Sequence, residues 1–285
     1  MGLFDLFKKD YAKLAWQELE NRNLTKAAEC FEQAYYQTKN KDYIFKAAYY
    51  YEKCNDQKSI LRCVTEGAKV GHPMCLEWMG ELYRDGFLIE KSTLLADLYF
   101  RTAASAGYVA TYFQWGSMYN KRDDYDMYVD GKTVMSRQVH KTDYAKAMNI
   151  FQEGLKHGCP LCPNAIGDMY ARGLGVKTDI NEAAKYFKIA ADRENGTGCL
   201  NLALYYYEGW GGKQDDELAY KYFILADRYG SNVACKYLSS DKTKLRSHFE
   251  MGVKNYLKNT AINAAEQLVD NITGNIVDSA VNKVK

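Results

Sequence analysis

A small residue followed three positions later by tyrosine recurs along this chain: Gly80 and Tyr83, Gly116 and Tyr119, Gly167 and Tyr170, Ala203 and Tyr206. The small residues are 36, 51 and 36 positions apart, so the middle interval is one period plus 15 residues. A period of that length marks a repeat architecture in which one unit cannot bury its own apolar faces and must stack on its neighbours. Ala96, Ala147, Ala183 and Ala219 repeat in the same register, each with a phenylalanine four later at Phe100, Phe151, Phe187 and Phe223. Just upstream stand Ser92, Asp143, Asp179 and Asp215, whose side-chain oxygens suit the N-cap of a helix.

Each unit therefore reads as a helix A carrying the small residue and tyrosine, a turn, and a capped helix B. Gly86, Gly173 and Gly209 end helix A, where a left-handed residue favours glycine. Asp179-Ile-Asn-Glu182 has the form of a capping box. A proline count of 3 in 285 residues fits a chain that is helical almost throughout.

The stretch Asn164-Ala165-Ile166-Gly167-Asp168-Met169-Tyr170-Ala171-Arg172-Gly173-Leu174-Gly175-Val176, continued by Asp179 and Ala183-Ala184-Lys185-Tyr186-Phe187-Lys188-Ile189-Ala190-Ala191, resembles the Sel1-like repeat family, a relative of the tetratricopeptide repeats. The resemblance covers roughly residues 10–238. It implies an all-α, right-handed solenoid of stacked antiparallel helix pairs and a protein-interaction role, and it names no partner. Residues 10–71 are expected to supply tetratricopeptide-like hairpins, with Ala27, Phe31 and Ala34 at helix-B spacing, and residues 72–238 the Sel1-like repeats. Cysteine-rich secreted members carry a disulfide in each repeat and have been linked to β-lactam chemistry. Regular cysteine pairs are missing from these repeats, so neither property carries over.

The extra 15 residues fall in segment 120–142. Asp130-Gly131 between β-prone residues, flanked by Tyr128 and Lys132, is a two-residue hairpin signal. A small β-hairpin or an ordered loop is expected there, either a tolerated surface insertion or an added contact for a partner. Beyond residue 239 the register is lost. Leu257, Ala261, Ala264, Leu268, Ile272 and Ile276 mark one face of an amphipathic helix, which either caps the stack or contacts another chain. The N-terminal segment 1–9 holds Leu3, Phe4, Leu6 and Phe7, a cluster that docks on the first hairpin or anchors elsewhere.

Composition narrows the function classes. With 38 basic and 36 acidic residues the formal charge is +2, which gives no reason to expect nucleic acid or an anionic membrane as partner. Neither a secretory h-region nor a spanning run is present, so a cytoplasmic location with reduced thiols is expected. Cys159-Pro160-Leu161-Cys162 looks like half of a zinc knuckle, but no second pair completes it. The cysteines read instead as small residues at helix positions. No cofactor motif, nucleophile elbow or metalloprotease signature appears, so no catalytic residue is expected.

In tetratricopeptide-like solenoids helix A lines the concave face. Positions three before, one after and four after the small landmark then select a partner-binding surface. They are Glu77, Glu81 and Arg84, then Phe113, Ser117 and Asn120, then Asn164, Asp168 and Ala171 with Arg172 beside them, then Leu200, Leu204 and Tyr207. This mixture of acidic, amide and aromatic groups suits a peptide or helix with polar and apolar anchors. The expected function is a non-enzymatic scaffold or adaptor. Self-assembly through the C-terminal helix, or an enzyme with a cryptic site, are the alternatives, and the oligomeric state stays open.

Overall fold

Capping residues at regular intervals cut the chain into helices of nearly equal length. The computed structural model describes residues 9–120, 124–129, 132–138, 142–212 and 214–239. The apolar cluster at Leu3–Phe7, the hairpin tip Asp130-Gly131 and the amphipathic segment beyond 239 lie outside the described residues. By their internal contacts, residues up to Thr178 and residues from Asp179 onward form two compact units.

The first unit contains α1 (Tyr11–Glu20), α2 (Leu24–Thr38), α3 (Lys41–Lys53), α4 (Gln57–Lys69), α5 (Pro73–Asp85), α6 (Thr93–Ser105), α7 (Thr111–Asn120), the strands β1 (Asp124–Val129) and β2 (Lys132–Gln138), α8 (Tyr144–Lys156) and α9 (Cys162–Arg172). Each helix packs on the next, so consecutive helices form antiparallel pairs that stack in chain order. The second unit contains α10 (Ile180–Asp192), α11 (Gly196–Glu208), α12 (Asp216–Arg228) and α13 (Asn232–Ser239), stacked in the same way. This is the expected all-α solenoid of helix pairs, with a hairpin set into one of its turns.

The caps form where the sequence placed them. Ser92, Asp143, Asp179 and Asp215 each accept the backbone N–H three residues on, at 3.3, 2.9, 2.9 and 2.9 Å. Each such cap stabilises its helix by about 1 kcal/mol. Glu182 does not close the capping box with its side chain, because its carboxylate is held by Lys185 Nζ at 2.6 Å. Helix A ends at Gly86, Gly173 and Gly209 with φ of 73, 69 and 68°, the left-handed C-cap.

Why the landmark is small is visible in the contact across each pair. A Cβ on Gly80 would stand 2.7 Å from the ring of Phe100, and one on Gly116 only 2.4 Å from the ring of Phe151. The phenylalanine of helix B therefore lies directly on the glycine of helix A. Phe100 and Phe151 are fully buried, each contributing about 1.5–3 kcal/mol relative to exposure. The tyrosine one turn later stacks on a helix-B aromatic: Tyr83 on Tyr99 at 5.5 Å and Tyr206 on Tyr222 at 5.9 Å.

The insertion forms the expected hairpin. β1 and β2 are antiparallel, with Asp124 opposite Gln138, Met127 opposite Met135, and Val129 opposite Lys132. The register shifts between Met127 and Tyr128, which pairs with Thr133, so Val134 is an extra residue on β2, a β-bulge. The turn beneath it is undisturbed. Asp143 N donates to Tyr119 O at 3.1 Å, matching Ser92 N to Tyr83 O at 2.9 Å and Asp215 N to Tyr206 O at 3.0 Å. The added chain leaves and re-enters through a closure that the uninterrupted repeats also make.

Candidate functional site

Helix α5 carries two carboxyls whose pKa burial raises. Glu77 and Glu81 lie one turn apart on it, half-buried, with Arg84 three residues further on. Burial, reinforced by Glu81, pushes the Glu77 carboxyl up to about 7. Burial likewise raises Glu81, against the pull of Arg84. Arg84 is already engaged: its Nε and Nη2 donate to Asp85 at 2.7 Å each, and Nη1 donates to Gln114 Oε1 on α7 at 3.0 Å. Its guanidinium also sits 6.0 Å from the centre of the Phe100 ring. Tyr108, just before α7, has its hydroxyl pKa raised by burial and by the fields of Glu77 and Glu81. The result is a partly dehydrated acidic surface between α5 and the start of α7.

The other expected residues are placed as follows. On α7, Phe113, Ser117 and Asn120 are half-buried. The Phe113 ring is 6.3 Å from that of Phe151, and Asn120 Oδ1 is buried without a hydrogen-bond partner among the described residues. On α9, Asn164 and Asp168 are half-buried and Arg172 is exposed, with Arg172 Nη1 donating to Asp168 at 3.0 Å. An exposed pair of this kind contributes about 0.5 kcal/mol at most. In the second unit Leu204 and Tyr207 are half-buried on α11. Tyr207 meets Phe223 and Tyr237 edge-on at 6.2 and 6.3 Å. Tyr128 lies in β1 and Lys132 in β2.

A buried polar node was missed by the repeat reading. Asp97 on α6 is 5% exposed, and its Oδ1 accepts Trp115 Nε1 at 2.7 Å, Tyr119 Oη at 2.6 Å and Lys146 Nζ at 3.0 Å. Arg101 binds its other oxygen. Burial alone would raise this carboxyl, but the hydrogen bonds from Tyr119, Trp115, Lys146 and Arg101 outweigh it and hold the pKa at about 2. Tyr119 precedes the insertion and Lys146 follows it, so one carboxylate joins the two ends of the inserted segment to α6. The signal was readable: Asp97 occupies the register position of Met148, Ala184 and Tyr220. An acid in an otherwise apolar column calls for partners.

Among the described residues, no group of three or more His, Cys, Asp or Glu is placed to hold a metal ion. No helix among them is long and apolar enough to cross a membrane.

A family model described as the Sel1 repeat matches residues 12–39, 73–108, 164–195 and 197–226. The chain carries four Sel1 repeats. Sel1 repeat proteins mediate protein–protein interactions. The matched segments include the first hairpin, α1 and α2, and pass over the unit that holds the insertion. The Sel1 repeat protein of Oxalobacter formigenes has a similar fold, with a TM-score of 0.58 at 21% identity over 86% of this chain and 97% of that one. So has a protective antigen of uropathogenic Escherichia coli strains, with a TM-score of 0.58, 18% identity, and 87% and 52% of the two chains covered. In sequence, the chain is 35% identical over 76 residues to the ERAD-associated E3 ubiquitin-protein ligase component HRD3B of Arabidopsis thaliana. That stretch is 26% of this chain and 11% of that protein.

Proposed function

We propose that this chain is a non-enzymatic scaffold that holds a protein or peptide partner on the helix-A faces of its Sel1 repeats. In the first unit the partner contacts Glu77, Glu81 and Arg84 of α5 and Phe113, Ser117 and Asn120 of α7. Asn164, Asp168 and Arg172 of α9 extend that surface, and Leu204 and Tyr207 serve the second unit. The observation that carries this reading is the pair of half-buried carboxylates on α5. Glu77, pushed up to about 7 by burial and Glu81, has the most to gain from a cation brought by another molecule. A segment with a lysine or arginine beside apolar anchors fits that chemistry. The relative named as a component of a ubiquitin-protein ligase agrees with a role inside an assembly.

The test is quantitative capture from host lysate on the immobilised full chain, with Glu81→Lys and Tyr207→Ala as variants and circular dichroism as the folding control. At least a tenfold loss of the same captured protein is expected for Glu81→Lys. Undiminished capture by both folded variants would sink the proposal.

A further inference from the structure

Side-chain contacts lay α1, α3, α5 and α7 side by side along one face of the first unit. Lys46 Nζ of α3 stands 5.9 Å over the Trp16 ring of α1. His72, the N-cap of α5, lies 3.6 Å from Asp42 of α3, and Arg84 of α5 donates to Gln114 of α7 at 3.0 Å. On α5 and α7 the residues that follow the landmark glycines are Glu81 and Ser117. On α1 and α3 the residues that follow the fully buried Ala15 and Ala48 are Trp16 and Tyr49, 49% and 41% exposed. The repeat reading did not extend its surface to these two aromatics.

Both exposed rings are held from behind. Trp16 meets the buried Phe31 edge-on at 5.3 Å, Phe31 stacks on Tyr50 at 5.6 Å, and Tyr50 meets Tyr49 edge-on at 5.2 Å. Aromatic surfaces fixed in this way lose little freedom when a partner covers them, and Trp and Tyr are the side chains that dominate interface energies. Each ring also carries its own lysine, Lys46 over Trp16 and Lys53 Nζ 5.0 Å over Tyr49. On α1, Glu18 is tied to Lys26 of α2 at 3.2 Å. The sign changes at the next helix. Glu52 lies 3.7 Å from Lys53 Nζ, and its field reaches Glu81 on α5. The face is therefore cationic and aromatic over α1 and α3, and acidic over α5.

We propose that the partner on this face is a peptide segment of mixed charge seated in one direction, with an acidic residue and an aromatic or leucine anchor over α1 and α3 and a basic residue over α5. This rests on the helix-A reading above and adds to it a second anchoring point and a polarity. The anchor covers Trp16 and Tyr49, the acidic group meets Lys46 and Lys53, and a lysine or arginine reaches Glu77 and Glu81. A segment laid the other way brings like charges together at both ends, so charge order selects direction as well as composition. A uniformly basic segment meets Lys46 and Lys53, and a uniformly acidic one meets Glu77 and Glu81.

Random dodecapeptides displayed on phage provide the probe. They are selected on the immobilised full chain, and enriched sequences are synthesised with a fluorophore and titrated by anisotropy. The expected peptides carry Asp or Glu beside Trp, Phe or Leu in one half and Lys or Arg in the other, always in the same order. Lys46→Glu with Lys53→Glu should weaken their binding at least tenfold, and so should Trp16→Ala, with circular dichroism unchanged. Trp16→Phe should stay within threefold of wild type. If Glu81→Lys alone weakens binding, the helix-A reading stands and this proposal falls. If none of these variants weakens it, both fall. The proposal is also overturned if no peptide is enriched, or if oligo-dT binds and Lys46→Glu with Lys53→Glu abolishes that binding. Two further results overturn it: a dimer of the chain that Trp16→Ala dissolves, or tenfold stronger peptide binding by Phe4→Ser with Phe7→Ser, which would make the N-terminal segment the occupant.

Discussion

The hydroxyl of Tyr119, on the last turn of α7, donates to Asp97 Oδ1 on α6 at 2.6 Å. The same oxygen is reached from α8 by Lys146 Nζ, which also lies 4.1 Å from the centre of the Tyr119 ring. One carboxylate therefore fastens the helix that enters the insertion to the helix that leaves it.

Asp97→Asn should lower stability by about 2–3 kcal/mol, because it removes the charge while leaving the donors in place. A fully buried pair would cost more, but Lys146 and Arg101 are partly solvated. The pH dependence has a definite sign. A carboxyl held at about 2 in the fold, against an ordinary value near 3.9, stabilises above that ordinary value and loses its contribution as pH falls toward 2. Urea denaturation at pH 6 and pH 2.5 should show the gap between wild type and Asp97→Asn shrinking by about 1–2 kcal/mol. An unchanged gap would mean that the node is not charged.

Gly116→Ala places a methyl 2.4 Å from the ring of the fully buried Phe151. Alanine gains about 1 kcal/mol of helix propensity, and overpacking costs about 1–3 kcal/mol, so a net loss of about 0–2 kcal/mol is expected, toward the upper end because the methyl meets a fully buried ring. In a double-mutant cycle with Phe151→Leu, the two losses should be less than additive by at least 0.5 kcal/mol, roughly the scatter of independent sites. Additive losses would show that the ring moves aside without cost.

These residues explain how much of the molecule was legible in the sequence. The small landmark and the helix-B phenylalanine appeared as two series in one register, and the fold shows them to be two sides of one contact. Caps and left-handed C-caps were legible because each is a local event, decided by an oxygen or a missing Cβ within one turn. Asp97 was missed because its partners come from three helices, and periodicity reports only the face that a residue occupies. The helix-A surface was drawn by a positional rule, and the rule had no means of ranking Glu77 above Ser117.

Replacing residues 120–142 with residues 84–91 should leave the fold intact. The closure beneath the hairpin, Asp143 N to Tyr119 O at 3.1 Å, is the one that residues 84–91 already span between Tyr83 and Ser92. Shortening a surface connection changes closure entropy by about 1 kcal/mol. Thermal unfolding of the shortened chain within about 5 °C of wild type is expected. Loss of cooperative unfolding would show that the hairpin is part of the core it stands on.

Glu77→Gln should make the first unit more stable at alkaline pH and flatten its pH profile. The carboxyl sits at about 7 in the fold because burial disfavours its charged form, with Glu81 adding to the effect. Its unfolded value is near 4.3, so the folded chain holds the proton more tightly and stability falls as pH rises from about 4 to 7. Each tenfold difference in proton affinity between the folded and unfolded chain is worth about 1.4 kcal/mol. Less some relief from solvent, the expected loss in the wild type is about 2 kcal/mol over that interval. Glutamine keeps the shape and escapes the penalty. Denaturation midpoints at pH 5 and pH 8 decide the matter: the variant should match wild type at pH 5 and exceed it at pH 8. A partner that supplies a cation to this surface should erase the difference at pH 8, because it stabilises the carboxylate that burial opposes. Equal midpoints for wild type and variant at both values would place Glu77 in solvent and remove the main electrostatic reason for a basic partner.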